Sequence, residues 1–353
     1  MIKFNCIFTS FSNAFIAITT EKEMENQLYP LKFKPVLKDK IWGGSKIKSV
    51  LGIDFEPLPN CGEAWVMSGV DENQTGIVNG FLAGNELNEL VEVYMGDLVG
   101  DAVYDRFGNE FPILVKFIDA ADYLSIQVHP DDALAAKRNI GYGKSEMWYV
   151  IDADPNAELI SGFSRKVDQA TYLKHLEQKS LREILNFEKV EKGDVFYMPA
   201  GRVHALGPGI FLAEIQQTSD TTYRIYDWDR VDSEGKSREL HIEEALDAID
   251  FNVYDDYKTE YEEKKNGSAN LVTSPYFTTN VIQLNQALAK DYSELDSFVI
   301  YVCVEGRITL VHSGSEQPEV TLSQGEALLI PAAIDRVDLI PSVESKVLEV
   351  YIA

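Results

Sequence analysis

Four polar side chains have the types and spacing to do chemistry. Gln127 and His129 sit two apart in the apolar run "YLSIQVH", Glu146 opens "EMWYVID", and His204 follows the turn "PAG" at 199–201. On a strand, residues two apart point to the same face, so Gln127 and His129 present an amide oxygen and an imidazole side by side. Lys144 and Glu146 keep the same spacing on the next run. Polar groups among Ile, Val, Trp and Tyr cost free energy unless something binds them. Two imidazoles, a carboxylate and an amide oxygen form a mixed nitrogen and oxygen set of borderline hardness. It suits Zn²⁺, with Mn²⁺, Fe²⁺ or Co²⁺ as alternatives. Taken singly, each residue would be an ordinary core or surface group; the set points to a metal. His175 and His312 read as ordinary satisfied residues, and His241 as the start of a helix.

A second cluster, "EIQQTSDTTYRIYDWDR" (Glu214 to Arg230), packs polar and aromatic residues behind an apolar strand. Arg224 alternates with Thr222 and Tyr226, and Glu214 lies ten residues earlier. A structural account would be a surface strand with Arg224 paired to Asp227 or Asp229; the residue types favour a functional cluster over it.

Strands must position these groups. Short alternating runs dominate: "FPILVKFID", "YLSIQVH", "EMWYVID", "DVFYMPA", "IFLAEIQQ" and "TYRIYDWD", separated by Gly, Pro, Asn and Asp. That pattern predicts a β-sandwich or barrel. Helical periodicity is confined to Asn85 to Gly100, Asp168 to Phe187 and His241 to Ile249. The charged run Tyr254 to Asn270 reads as a connector, giving a catalytic part over 24–253 and a second β-rich part over 271–353. The second part carries an internal repeat of the first. Gly193 and Pro199 in "VEKGDVFYMPAGRVHAL" keep the spacing of Gly325 and Pro331 in "LSQGEALLIPAAIDRVDL". Five residues after the Pro stands His204 in the first copy and Arg336 in the second. One copy is equipped for a metal; the other reads as structural.

Composition narrows the partners. The 353 residues are 45% hydrophobic, enough for one large or two ordinary cores. The net charge of −25 argues against a nucleic acid or an anionic membrane surface as partner, both of which need a basic footprint. Cys6, Cys61 and Cys303 are too few and too scattered for a disulfide framework or a thiolate site, which points to a reducing cytoplasm. The stretch "CIFTSFSNAFIAITT" is too short and polar to span a bilayer and lacks a clean signal-peptide pattern. Residues 1–23 are therefore expected to be a disordered or mis-called extension, with Met24 the start.

Gly193-x5-Pro199-x-Gly201-x2-His204 resembles the second cupin motif, and its paired copy resembles a two-cupin protein. The usual first motif, His-x-His with a close Glu, is replaced by Gln127-x-His129 with Glu146 seventeen residues on. Together "QVHPDDALA", "GKSEMWYVI", "PAGRVHAL" and "EIQQTSDTTYRIYDWDR", with the opening "PLKFKPVLKDKIWGG" and "CGEAWVMSG", resemble the type I mannose-6-phosphate isomerases in their short bacterial form. The likeness runs from about Tyr29 to the C-terminus. It implies a mainly β fold of two cupin-like β-barrels or jelly rolls with a few helices, the family's helical insertion being reduced to the span Asp168 to Phe187. It implies zinc on Gln127, His129, Glu146 and His204, an essential Arg224, and Glu214 as the acid/base candidate with water at the ion as its rival. Lys116, Ser125 and Lys144 match the substrate pocket, and Arg202 joins the two lysines as a cation that could offset a phosphate's repulsion. The partner implied is a small sugar phosphate, on a monomer or homodimer. The competing reading is a sugar-binding bicupin that is non-enzymatic or runs different chemistry, such as an iron-dependent dioxygenase.

Overall fold

Every run singled out above forms a strand, and the pairing between strands is antiparallel throughout. The computed structural model describes residues 27–231, 234–312 and 319–353. The expectation for residues 1–23 lies outside these. The first half supplies β1 Leu31–Lys32, β2 Val36–Lys38, β3 Glu63–Met67, β4 Ile113–Ala120, β5 Ile126–Val128, β6 Glu146–Ala153, β7 Glu158–Phe163, β8 Leu185–Lys189, β9 Val195–Met198, β10 His204–Leu206, β11 Ile210–Gln217 and β12 Tyr223–Tyr226. The second half supplies β13 Gly267–Thr273, β14 Thr278–Leu284, β15 Leu288–Asp291, β16 Val299–Glu305, β17 Arg307–His312, β18 Glu319–Ser323, β19 Ala327–Ile330, β20 Arg336–Pro341 and β21 Ser345–Tyr351.

They assemble into four sheets. The first barrel joins β2-β3-β4-β11-β6-β9 to β12-β5-β10-β7-β8, and the second joins β1-β19-β16-β21-β14-β13 to β15-β20-β17-β18. The orders β3-β4-β11-β6-β9 and β13-β14-β21-β16-β19 correspond strand for strand, as do β5-β10-β7-β8 and β15-β20-β17-β18. The internal repeat is thus two copies of one jelly roll. Gly193 and Gly325 both take positive φ, 93° and 87°, where a side chain would be strained. Each is followed, two residues on, by a four-residue strand ending at the Pro, and the next strand opens on His204 or Arg336.

Period-two alternation in β4, β6 and β11 does not separate core from solvent, because these strands are buried on both faces over most of their length. It sorts side chains between two cores. Ile118, Trp148, Val150 and Leu212 point into the first barrel. Val115, Phe117, Met147, Tyr149 and Ala213 point outward, onto Ile300, Val302, Leu348 and Val350 of the second barrel's large sheet. The two large sheets therefore pack back to back. The strand β1, near the start of the described chain, belongs to the second barrel's sheet through Leu31↔Leu329.

Helices cover what the sheets leave open. Leu87–Val99 fits the periodic stretch from Asn85, and starts with a capping box in which the Glu86 N–H donates to Glu89 at 2.7 Å. The expected helix over 168–187 stops early: the helix is Gln169–Glu177, Lys179 turns to positive φ, and Leu185–Lys189 leaves to pair with β7 as a strand. The third, Ile242–Ala248, lies against β12 and, with Tyr172 of the shortened helix, covers the outer face of the small sheet. The helical insertion is therefore reduced, as the family resemblance implied.

The barrels are also joined by a helix cap in trans. The helix Asp101–Phe107 begins after Gly100, which has no side chain to cap it. Asp296 of the second barrel accepts the N–H groups of Asp101 and Ala102 at 2.8 and 3.0 Å. Asp296→Ala should cost about 1 kcal/mol, the usual value of a lost cap, read as a lower unfolding midpoint in urea. An unchanged midpoint would show that the cap contributes nothing.

Candidate active site

The polar residues of the first barrel gather at one end of its interior. On the small sheet Gln127 is the cross-strand partner of Arg224 on one side and of His204 on the other. On the large sheet Glu214 stands between Lys116 and Trp148. Glu146 is two residues before Trp148 on β6, hence on the same inward face. The two rows face each other across the barrel.

His129, Glu146 and His204 converge, with one ligand atom from each lying within 4.8 Å of the others. Both imidazoles have their tautomer set by backbone. His204 Nδ1 lies 2.8 Å from the Arg202 carbonyl and His129 Nδ1 lies 2.9 Å from that of Thr221. A carbonyl only accepts, so each Nδ1 carries the hydrogen and each Nε2 keeps its lone pair for the interior. Those Nε2 atoms face Glu146, at 3.6 Å from His129 and 3.3 Å from His204. Gln127 completes the group: its amide nitrogen is 3.2 Å from His204 Nε2, and Ser125 Oγ donates to its amide oxygen at 3.4 Å. A half-turn of that amide exchanges nitrogen for oxygen on the His204 side.

Among the described residues, His129 Nε2 and both oxygens of Glu146 are buried without a hydrogen-bond partner. Orphaned buried polar atoms are rare and costly, and a divalent cation would satisfy them together. The four residues fit a metal on their own chemistry: neutral nitrogen donors, a carboxylate, an amide and no thiolate.

Burial sets the charge states. It lowers His204 to about 4 and takes His129 well below the ordinary imidazole value, with Lys144 adding to both. Burial first, and then the nearby Glu214, raise Glu146 to about 8. Burial would also push the Lys116 ammonium down, but Glu214 at 3.1 Å and then Glu63 outweigh it and hold the lysine charged. Lys144 is lowered by burial and by Lys116, and sits 3.9 Å from Glu146.

Beside the cluster lies a cavity of about 290 Å³. Lys116, Ser125, Gln127, Lys144, His204, Glu214 and Arg224 all reach it, so the expected site residues other than the buried His129 and Glu146 share its wall. Glu214 is held at both oxygens, by Lys116 and by Trp148 Nε1 at 2.9 Å. Arg224 does not pair with Asp227, whose carboxylate is taken by Arg230 and Arg238, or with Asp229, which binds Lys179. It donates instead to the Glu239 carbonyl at 2.9 Å, while its Nε has no partner among the described residues. Lys40, Glu63, Asp220 and Arg238 also line the cavity and were not singled out in the sequence. Lys40 and Glu63 lie inside the motifs "PLKFKPVLKDKIWGG" and "CGEAWVMSG", which were the available signal; Arg238 comes from a loop that offered none. Five cations thus surround the cavity of a protein whose net charge is −25. Arg202 is not among them. It turns away from the cavity and lies between the rings of Tyr254 and Tyr257.

Two fused jelly rolls with a buried His–Glu–His group in one of them define a bicupin built for a metal. Family models agree in detail: the phosphomannose isomerase type I catalytic domain matches residues 30–160, and the mannose-6-phosphate isomerase cupin domain matches residues 268–345. A mannose-6-phosphate isomerase of Streptococcus mutans is 34% identical over 310 residues, covering 86% of this chain and 93% of that protein. One from Bacillus subtilis is 35% identical over 309 residues, with the same coverage. The crystal structure of the Bacillus subtilis mannose 6-phosphate isomerase superposes with a TM-score of 0.82 at 30% identity, over 92% of this chain and 99% of that one. The chain belongs to the type I phosphomannose isomerases, a metal-dependent family.

Charge states at the cluster make metal uptake pH-dependent. Glu146 is protonated below about 8 in the ion-free site and must lose that proton to bind a cation. The imidazoles are already neutral, His204 above about 4, and release none. Affinity for a divalent cation should therefore rise with pH up to about 8 and flatten above it, with close to one proton expelled per ion near neutrality. Calorimetric titration in buffers of different ionisation enthalpy counts that proton; a pH-independent affinity would contradict the assignment.

Proposed function

We propose that the chain interconverts mannose 6-phosphate and fructose 6-phosphate, with one zinc ion held by Gln127, His129, Glu146 and His204. The observation that carries this is the pairing of a partner-starved His–Glu–His group with a lysine-held carboxylate, Glu214, across one cavity. Aldose–ketose exchange moves a proton between C1 and C2 and releases no electrons, so no redox cofactor is required. When bound, zinc would supply Lewis-acid polarisation of a sugar oxygen. Neutral Gln127, His129 and His204 leave most of its charge uncompensated, which favours an amide over a second carboxylate at position 127.

Glu214 is the group we assign to carry the proton. Lys116 and Trp148 fix both its oxygens, so the carboxylate meets the sugar in one orientation. Arg224 stays cationic at any working pH, and its Nε, without a partner among the described residues, can meet negative charge developing on a sugar oxygen. Lys116, Ser125 and Lys144 are assigned to the substrate, the lysines opposing the charge of its phosphate. Ser125 has a second task, holding the Gln127 amide. Free Cys61 and Cys303 suit a reducing cytoplasm, and we read the enzyme as a monomer or homodimer there.

A coupled isomerase assay with metal analysis tests the reading. Activity should vanish with the metal after chelation and return with zinc; mannose 6-phosphate bound but unchanged would instead favour a binding protein. His204→Ala should lose metal and turnover together. Arg224→Ala should keep the fold and the metal while kcat falls about 10²–10³-fold, and Glu214→Gln should cost about 10²–10⁴-fold. Near-parent kcat in Arg224→Ala would reduce its cluster to a structural one.

A further inference from the structure

The turn 199–203 touches the imidazole of one candidate metal ligand, His204, and the main chain of another, His129. The Gly201 N–H donates to the His129 carbonyl at 2.9 Å, and the Arg202 carbonyl holds His204 Nδ1 at 2.8 Å. Whatever fixes this turn therefore fixes where the His204 ring points, and ties the turn to the strand end that carries His129. The backbone does part of this: the Gly162 N–H donates to the Val203 carbonyl at 2.7 Å, and the Asp250 N–H to the Gly201 carbonyl at 2.8 Å. The Arg202 side chain does the rest.

Its guanidinium is buried between two tyrosines, 4.6 Å from the ring centre of Tyr254 and 4.7 Å from that of Tyr257. Nη1 donates to Ser161 Oγ at 3.3 Å, and Ser161 is the cross-strand partner of His204 on β7. Both tyrosines are anchored in turn. Tyr254 OH donates to Asp250 at 2.6 Å, and Tyr257 OH donates to the Phe163 carbonyl at 2.9 Å. Tyr257 also lies where a Cβ on Gly162, φ +68°, would be, with ring atoms 2.6 to 2.9 Å from that point. A cation between two aromatic faces is held by their negative quadrupoles, and the planar guanidinium stacks where an ammonium cannot.

We infer that Arg202, clamped by Tyr254 and Tyr257, is a positioning residue for the metal centre. It locks the turn whose carbonyl orients His204. The charged stretch after the last helix, read in the sequence as a connector, thus supplies two side chains that hold a metal ligand in place. The inference rests on the zinc reading above. It assigns Arg202 no contact with substrate.

The test uses the full chain with zinc as the probe, in Arg202→Met, Arg202→Lys and Tyr254→Leu. Three quantities are read: zinc affinity by competition with a chromophoric chelator, the absorption bands of the cobalt-loaded protein, and the melting temperature of the apoprotein. Arg202→Met should weaken zinc binding about 10–100-fold, the loss usual for a residue that holds a metal ligand in place, and shift the cobalt bands. Arg202→Lys, keeping charge without the plane, should recover only part of the affinity. Tyr254→Leu alters a ring that is 42% exposed and so spares the core; it should weaken zinc about tenfold, with little further loss when combined with Arg202→Met. A merely structural Arg202 would lower the melting temperature while leaving affinity and cobalt bands at parent values, and that result overturns the inference. If Arg202→Met does not fold, Tyr254→Leu decides alone: parent-like affinity refutes the clamp. A parent chain that takes up no zinc sinks the metal assignment and the clamp with it; a parent that binds zinc beside variants that match it sinks only the clamp.

Discussion

A carboxylate sealed inside a β-barrel with two lone pairs pointed at it is an unstable arrangement unless a positive charge joins them. Glu146 is 1% exposed and faces the Nε2 atoms of His129 and His204, whose Nδ1 hydrogens are already committed to backbone carbonyls. Neither imidazole can protonate cheaply there, because burial and Lys144 both oppose it. The barrel therefore holds a space that favours a cation and penalises a proton on its nitrogens. The rest of the first half is arranged around that constraint. The double-faced burial of β6 and β11 keeps water from Glu146, the turn before β10 holds the imidazole, and the row of Lys116, Glu214 and Trp148 places a second carboxylate near it. Two buried carboxylates in one barrel end up with opposite characters through their neighbours. Glu214 has an ammonium at 3.1 Å, while Glu146 has imidazoles that stay neutral.

The second barrel shows what the same scaffold becomes without that constraint. His204 pairs with Gln127, and in the copy Arg336 pairs with Asp291, joined by an exposed ion pair at 3.1 Å. Glu146 faces Met198 on the neighbouring strand, just before Pro199; the matching residue before Pro331, Ile330, faces Val299. Each ligand position thus carries a residue that satisfies itself or needs nothing. The fold is retained because the back-to-back sheets need it: Ile300, Val302 and Leu348 are the surface on which the catalytic barrel's large sheet rests.

Much of this was legible in the sequence, for a physical reason. Polar residues inside apolar strands are expensive, so Gln127, His129, Glu146 and His204 stood out as residues whose cost had to be offset, and the structure brings all four together. The Gly-x5-Pro repeat was visible because positive φ at Gly193 and Gly325 and the chain reversal near each Pro restrict residue type at fixed spacing. What stayed hidden depended on tertiary position. The run "LNF" at 185–187 continues a helical period, yet it belongs to a strand that pairs with β7, and a strand edge to bind cannot be read from the run itself. The helix Asp132–Arg138 was passed over inside the motif "QVHPDDALA", although Asp131 caps it by accepting the Leu134 N–H at 2.8 Å. Arg202 lies two residues from His204, which on a strand would put both on one face. But β10 starts at His204, so the alternation does not extend back to it, and the arginine turns to the tyrosines instead.

Glu214 and Glu349 are buried carboxylates at matching places, one in the wall of a cavity and the other enclosed by its neighbours. Glu214 stands between Lys116 and Trp148 in its sheet; Glu349 stands between Asn280 and Tyr301 at the matching place in the second barrel. Glu349 is enclosed: Lys290 lies 2.7 Å away, Tyr292 OH donates at 2.6 Å, and Asn280 donates at 2.9 Å. Three donors from three side chains close around the carboxylate. Glu214 is held just as firmly, by one cation and one indole N–H, but it forms part of a cavity wall. A carboxylate has about four lone-pair sites, and two fixed donors orient it while leaving lone pairs for a third group. Restraint without saturation is what a proton-transfer residue needs. In this protein the difference between the two states is set by the side chains of Asn280, Lys290 and Tyr292, with the backbone topology unchanged.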